Sequence, residues 1–479
     1  MSLDPPPYLS SIQNNIRARP IPWEGAVRAG SITDEHFKKI KSVDKVRPDQ
    51  RRQTVESDPD SYVALLVGGN GSKSIVESAA KRNDIIQYIL VLAGDLVNDV
   101  PSLAPALVAS PDPYKPFLPL LQRTSSTEGP IPLLTSTFLT ALVSTSLVST
   151  SKPAPRDETA LPQLYTYLST LTNNSDSGLQ DIGVQGFSSL LRTQRSRELF
   201  WNQRSETVEP LVNILQAAAG GGKENGSNRP GTTSGSIRTV DTGISGGVGL
   251  QLLYNVLLVI WQLSFEGNLV GDELESDYEI LALYAHLLRV SPKEKTTRLL
   301  LSTLYNLLTS NRTSLLPAAV SVRLPALLGN ISGRHLTDPD LLDDLKALSD
   351  MLEEYTKKQT TFDEYSAEVL SGHLRWSPPH RNPTFWRENA RRILSEERGQ
   401  LPKKLSEIIS KNWETDKQVL AIACNDVGNL VKEVPEKRVQ LEKLGLKSRV
   451  MELMADSDET VRWESLRAVG EWLRYTFEN

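Results

Sequence analysis

The stretch LYNVLLVIWQL, Leu253–Leu263, places apolar side chains at 253, 256, 257 and 260, the i, i+3, i+4, i+7 spacing of one helix face. The same spacing recurs in Ile85–Val97, Leu133–Leu147, Val184–Leu191 and Leu299–Leu308. Several of these segments close alike, in SSLLRT (188–193), IWQLSF (260–265) and LYNLLTS (304–310). Setting aside one low-complexity insertion, their starts lie roughly 40–50 residues apart, the period of armadillo or HEAT repeats. Each helical unit in such an array leaves an apolar face that only its neighbour buries, so the product is a stack with one concave face. No alternating apolar runs bounded by Asn-Gly turns occur. The fold predicted is all-α: an armadillo/HEAT-like helical solenoid with a larger N-terminal and a smaller C-terminal domain.

At 479 residues the chain exceeds the length at which one core keeps growing, which agrees with two domains or an extended array. Domain 1–352 is read as the armadillo-like part. Within it, 217–249 is rich in Gly, Ser and Thr and has too few large apolar residues to offset ordering entropy, so a mobile loop is expected. A polar linker, 353–360, comes after a helix expected to end at Met351–Leu352. From Thr361 to Asn479, 39 of 119 residues are charged against 72 of 360 before it, and this shift marks a second, HEAT-like regulatory domain. Its last element is a helix capped by Asp456–Asp458, with Val461, Leu466, Val469, Trp472 and Leu473 forming one apolar face.

A net charge of −5 gives no global basic field, which argues against nucleic acid as the main ligand. Cys424 is the only cysteine, so no intrachain disulfide forms and a reducing compartment fits. MSLDPPPYLSS shows no secretory pattern. The longest strongly apolar run is read at Leu250–Leu263, too short to span a bilayer, so no direct membrane insertion is expected. The sequons at Asn70 and Asn311 are then accidental.

The chain gives no catalytic constellation. Gly243–Gly247 matches G-x-S-x-G but lies in the low-complexity insertion rather than between a strand and a helix. Gly71–Ser74 and Gly222–Lys223 lack phosphate-loop spacing. His36, His286, His335, His373 and His380 form no zinc-ligand pattern, and Cys424 reads as a small buried hydrophobe. Catalytic, cofactor and metal residues are therefore expected to be none.

Most distinctive is Thr361–Asn389, TFDEYSAEVLSGHLRWSPPHRNPTFWREN. Pro378–Pro379 fix φ and remove two backbone donors, so no helix continues through them. An aromatic-flanked elbow between helices results. His373 and His380 are expected to bond local backbone. Trp376 and Trp386 have two readings: both rings pack around the elbow, or one is an exposed anchor for a partner. The partner-interface candidates are Trp376, Pro378, Pro379, His380, Arg381, Phe385, Trp386 and Arg387. Arg391, Arg392, Arg398, Lys403 and Lys404 make a locally basic stretch with two readings, a solvated face or a contact for an acidic partner surface.

WSPPH followed by Phe385–Trp386, ACND at Ala423–Asp426, and LGLKSRVMELMADSDETVRWESL at Leu444–Leu466 together resemble the C-terminal domain of the H subunit of the V-type proton ATPase. ARPIPWE (18–24), RELFWNQR (197–204) and GLQLLYNVLLVIWQLSFE (249–266) extend the resemblance more loosely toward the N-terminus. The resemblance implies a non-catalytic regulatory subunit of the V1 sector on the cytosolic face of the vacuolar or endomembrane system. It implies an N-terminal domain on the peripheral-stalk subunits E and G. The C-terminal domain would contact the cytosolic part of membrane subunit a in the assembled pump, and would brace the catalytic head against the rotor when V1 is released. The alternative is an armadillo-type cytosolic adaptor for peptide segments. Against it, the Trp–Asn ladder of nuclear import adaptors is missing: Trp261–Gln262 occurs once, and Asn306 has Tyr305 beside it.

Overall fold

In the computed structural model, residues 6–69, 71–122, 129–149, 154–220, 248–291, 293–358, 361–396, 399–413 and 416–477 are described. Most of the 217–249 insertion, with both glycine motifs at 222–223 and 243–247, lies outside them. Among the described residues the elements are helices, with one isolated bridge between Gly69 and Ser72. The all-α expectation holds. Packing divides the chain into two compact units: Met1–Val270 with His286–Asn306, and Gly271–Ala285 with Leu307–Asn479. This division differs from a cut at residue 353, because residues 307–352 pack with the later helices.

Among the longer helices of the first unit are α1 (Asn83–Asp99), α2 (Pro130–Ser149), α3 (Pro155–Thr172), α4 (Ser177–Leu190) and α5 (Leu250–Ser264). Each packs on its successor, and α2 also touches α4, as expected when one repeat buries the face of the next. The repeat is visible in the polar contacts as well. Trp261 Nε1 donates to Ser302 Oγ (3.1 Å), 41 residues on, and Asn306 Nδ2 donates to Ser264 Oγ (2.8 Å), 42 residues back. Both offsets fall in the period read from the sequence. Gly183 of α4 has no room for a side chain: a Cβ there would lie 2.5 Å from Thr172 Oγ1 and 2.8 Å from the Leu168 carbonyl oxygen. The missing methyl lets α3 and α4 approach closely.

Phe200 and Trp201 of RELFWNQR are core residues. Phe200 meets Phe187 edge-on at 4.9 Å and Tyr165 at 5.1 Å between centroids. The longest apolar helix proves to be α2, not Leu250–Leu263. Its Pro130–Val148 window is long and apolar enough to cross a bilayer by length and composition. Its serines and threonines mask that in the sequence, yet they bond back to carbonyls one turn earlier, as Thr135 Oγ1 does to Ile131 O at 2.7 Å. In the fold 72% of that window is buried by the protein itself.

In the second unit, Pro339–Lys358 is one continuous helix. The helix expected to stop at Met351–Leu352 thus runs on through Glu353–Lys358, because Glu, Tyr and Lys there carry no breaker and favour or tolerate helix. Beyond it lie α6 (Thr361–Ser371), the one-turn α7 (Pro378–Arg381), α8 (Pro383–Ser395), α9 (Gln400–Ser410), α10 (Lys417–Glu433), α11 (Leu446–Leu453) and α12 (Glu459–Phe477). The centre is α10, with 12 of its 17 residues buried and α7, α8, α9 and α12 packed around it. Helix α12 lies closest. A Cβ on Gly428 of α10 would sit 3.0 Å from Ala468 Cα and 3.1 Å from Ala468 Cβ.

One expectation about α12 fails. Val461, Val469 and Trp472 are buried with Ala468 and Ser465, whereas Leu466 and Leu473 face outward. At about 100° per residue, 466 and 473 point roughly 95–115° from the centre of the buried stripe, so grouping all five as one face spread it too widely.

Replacing Gly428 by leucine should force α10 and α12 apart and destabilise the protein by about 1–3 kcal/mol, the usual range for overpacking. Urea denaturation followed by tryptophan fluorescence reads this, and an unchanged midpoint would show that the close approach carries no constraint.

Candidate functional site

Helix α6 ends at Ser371, with Gly372 in the left-handed region (φ 78°); Pro378 and Pro379 then start the single turn α7, and Asn382 caps α8 by accepting from the amides of Thr384 (3.0 Å) and Phe385 (3.4 Å). The elbow carries His380 into the interior. Its Nδ1 lies 2.7 Å from Asp426 Oδ1, and its Nε2 lies 3.3 Å from Glu368 Oε1 with poor hydrogen-bond alignment. The His380 carbonyl accepts from Asn425 Nδ2 (3.0 Å) and from the Trp386 indole (3.3 Å). Glu368 accepts from Ser377 Oγ (2.7 Å) and from the Arg375 amide. The WSPPH and ACND stretches, 46 residues apart at His380 and Asp426, are therefore two halves of one buried contact. The expectation that His380 bonds local backbone is corrected: its ring takes carboxylates from two other helices.

Electrostatics follow from burial. Desolvation pushes the His380 imidazole toward the neutral form, but Asp426 and Glu368 together outweigh it, and its pKa is raised to about 10. Burial raises the Asp426 carboxyl above its ordinary value, and His380 and Asn425 only partly offset this. At neutral pH the ring thus keeps its proton against the Asp426 carboxyl group. Tyr365 closes the cage, with its ring 5.5 Å from His380 and 5.3 Å from both Phe385 and Trp386.

The eight sequence candidates separate by exposure. Pro379, His380, Phe385 and Trp386 are buried and present no surface in this conformation. Arg381 and Arg387 are exposed, as is Pro378 in part, and Trp376 is half-buried. The Arg381 guanidinium stacks on the Trp376 ring at 4.5 Å. The adjoining basic stretch is partly neutralised: Arg391 meets Glu436 at 3.0 Å, Arg392 meets Glu396 at 2.6 Å, and Lys404 meets Glu407 at 3.1 Å. Arg398 lies outside the described residues.

Sequence reading missed Glu368 and Tyr365, whose spacing in α6 looks like an ordinary amphipathic helix. It also missed two clefts. One of about 780 Å³ in the second unit has Asp272, Glu275 and Glu279 on one side and Lys403, Lys404 and Lys411 on the other. Burial raises Glu275 to about 7, and Glu279 approaches Lys411 at 3.7 Å. The other, of about 730 Å³ in the first unit, is lined by Ser144, Gln185, Arg192, Tyr254, Trp261 and Gln262 among others. Cys424 is buried, which pushes its thiol up to about 12. Among the described residues no group of three or more His, Cys, Asp or Glu is placed to hold a metal.

The fold and the site define a helical-repeat protein in which the polar centre of His380, Asp426 and Glu368 is enclosed and architectural. The family models of the V-ATPase H subunit match residues 7–352 for the N-terminal part and 358–477 for the C-terminal part, and the chain belongs to that family. The V-type proton ATPase H subunit of Drosophila melanogaster is 26% identical over 97% of this chain and 89% of its own length. A probable V-type proton ATPase H subunit of Oryza sativa subsp. japonica is 27% identical over 94% of each. Among solved structures, an engineered protein covers 99% of this chain and 97% of its own with a TM-score of 0.36 and 12% identity, a likeness too distant to bear on function.

Two outcomes follow from the buried centre. His380→Ala leaves Asp426 and Glu368 buried without their cation, so it should cost about 3–5 kcal/mol in denaturant unfolding; a loss below about 1 kcal/mol would show the pair to be dispensable. His380 has a folded pKa above its ordinary 6.5, so its stabilisation is full below that value and fades as pH rises through about 10. The stability difference between wild type and His380→Gln should accordingly shrink from about pH 6 to about pH 10, and a constant difference would contradict the charged assignment.

Proposed function

We propose that this chain is a non-catalytic regulatory subunit of the vacuolar-type proton-pumping ATPase, required for ATP-driven transport by the assembled pump and for silencing ATP hydrolysis in released V1. In this reading it sits peripherally on the cytosolic face of the membrane. The part up to residue 352 docks on stalk subunits E and G. The part from residue 361 onward contacts the cytosolic domain of membrane subunit a, or in released V1 bridges the catalytic head and the rotor. Family membership over both halves of the chain is the observation that carries it.

Silencing by this route needs no active-site residue. A body fixed to the stator that also touches the rotor blocks rotation, and rotation is coupled to hydrolysis. Such a brake needs a contact surface held rigidly, and the elbow supplies one: Pro378, Arg381 and Arg387 face outward, with Trp376 half-buried against Arg381, over a cage fixed by His380. We place the rotor-side or membrane-side contact there. A second reading, an adaptor for peptide segments, is favoured by the cleft beside Trp261 and Gln262 in the first unit.

The test is ATP hydrolysis by V1 lacking this subunit, with the full-length chain added back. Truncation at 352 is avoided because residues 307–352 pack with the later helices. Wild type should bind and suppress hydrolysis. Arg381→Glu combined with Arg387→Glu should still bind while suppressing on the order of tenfold less well, since exposed charges set partner choice more than fold. Absence of binding by wild type would end the pump reading, and full suppression by the variant would move the contact elsewhere.

A further inference from the structure

The last helix has two apolar faces, and only one is used. Val461, Ser465, Ala468, Val469 and Trp472 are buried, chiefly against α10. On another side Trp463, Leu466 and Leu473 stand 64%, 53% and 50% exposed. Gly470 completes the series, with open space where a Cβ would project. Positions 463, 466, 470 and 473 are spaced three, four and three apart, the a/d spacing of a coiled-coil seam. Isolated exposed leucines are ordinary, but a tryptophan and two leucines in register along one helix are not.

The borders of the seam carry charge of one sign. Arg462, Arg467 and Arg474 are exposed on its two sides. The carboxylates of Glu464 and Glu471 are turned farther from it, and each is held by an arginine of the same helix: Glu464 by Arg467 at 2.9 Å and Glu471 by Arg474 at 3.6 Å. Arg462 donates to the carbonyls of Asp456 and Ser457, both at 2.8 Å. Glu459, one turn before Trp463, is the acidic group in line with the seam. Helix α11, packed on α12, adds the exposed and conformationally adaptable Met451.

We infer that the outward face of α12 is a docking surface for a helix of another protein, one with apolar residues at a and d positions and carboxylates beside them. The a/d register specifies a helical occupant, Gly470 permits close backbone approach, and the arginine borders specify acidic flanks. A second copy of this chain is the poorer occupant, because pairing α12 with itself sets arginine borders against arginine borders. The surface uses other residues than the elbow, to which it is tied through Arg467, whose guanidinium donates to Asn425 Oδ1; the inference stands or falls independently of the pump reading.

The test uses the full-length chain and fluorescence anisotropy of a labelled synthetic helix of about four heptads, leucine at a and d, glutamate at e and g, beside a twin with lysine at e and g. The glutamate peptide should bind at least about tenfold more tightly than the lysine twin at low salt, and less so as salt rises. Leu466→Glu with Leu473→Glu should abolish binding with circular dichroism unchanged, both positions being exposed. Arg462→Glu, Arg467→Glu and Arg474→Glu together should reverse the preference between the two peptides, which a merely sticky face would not do. Equal binding of both peptides, or binding retained by the double leucine variant, overturns the proposal. So does self-association in sedimentation that the double variant removes, since the occupant is then a second copy.

Discussion

A protonated histidine enclosed between two carboxylates is the constraint around which the C-terminal part of this protein is arranged. Asp426 lies on a helix buried along most of its length, where an unpaired charge would be prohibitive, and His380 reaches it from the single turn that the double proline begins. The elbow and the central helix therefore require each other. Trp386 and Asn425 both donate to the His380 carbonyl, so backbone as well as side chain is tied. Even the Trp376–Arg381 stack, half-buried at Trp376 and exposed at Arg381, inherits its position from this buried contact.

The first unit has a different logic. Each helix there covers its neighbour, and polar ties such as Asn255 Nδ2 to Asp181 Oδ1 at 2.6 Å and Gln262 Nε2 to the Ser188 carbonyl at 2.9 Å join successive repeats. Stability in such an array is spread over many similar interfaces. The locked elbow, in contrast, concentrates its hold in one buried centre. The regulatory role proposed for this family member draws on that contrast.

Much of the fold was legible because it rests on local periodicity. The helical spacing at Leu253–Leu263 and its relatives, and the repeat interval, needed only the rule that apolar residues three and four apart share a face. Of the site, the helix boundary at the double proline was also readable, because proline acts on its own backbone. The partnership of His380 with Asp426 and Glu368 was not, since nothing within a few residues of His380 signals a carboxylate from another helix. The misplacement of Leu466 and Leu473 has a related cause: periodicity says which residues share a side of a helix, not how much of that side a neighbour covers.

By itself, then, the sequence determined the helical class, the repeat interval and the kinship carried by WSPPH, Phe385–Trp386 and ACND, because these depend on residue identity and short-range spacing. Only the tertiary structure decided that those motifs are the two sides of one buried ion pair. It alone separated the buried candidates Pro379, His380, Phe385 and Trp386 from the outward-facing Pro378, Arg381 and Arg387. It also left one apolar face of the last helix without a neighbour. Burial is a property of the surroundings of a side chain, and those are assembled from segments far apart in the chain.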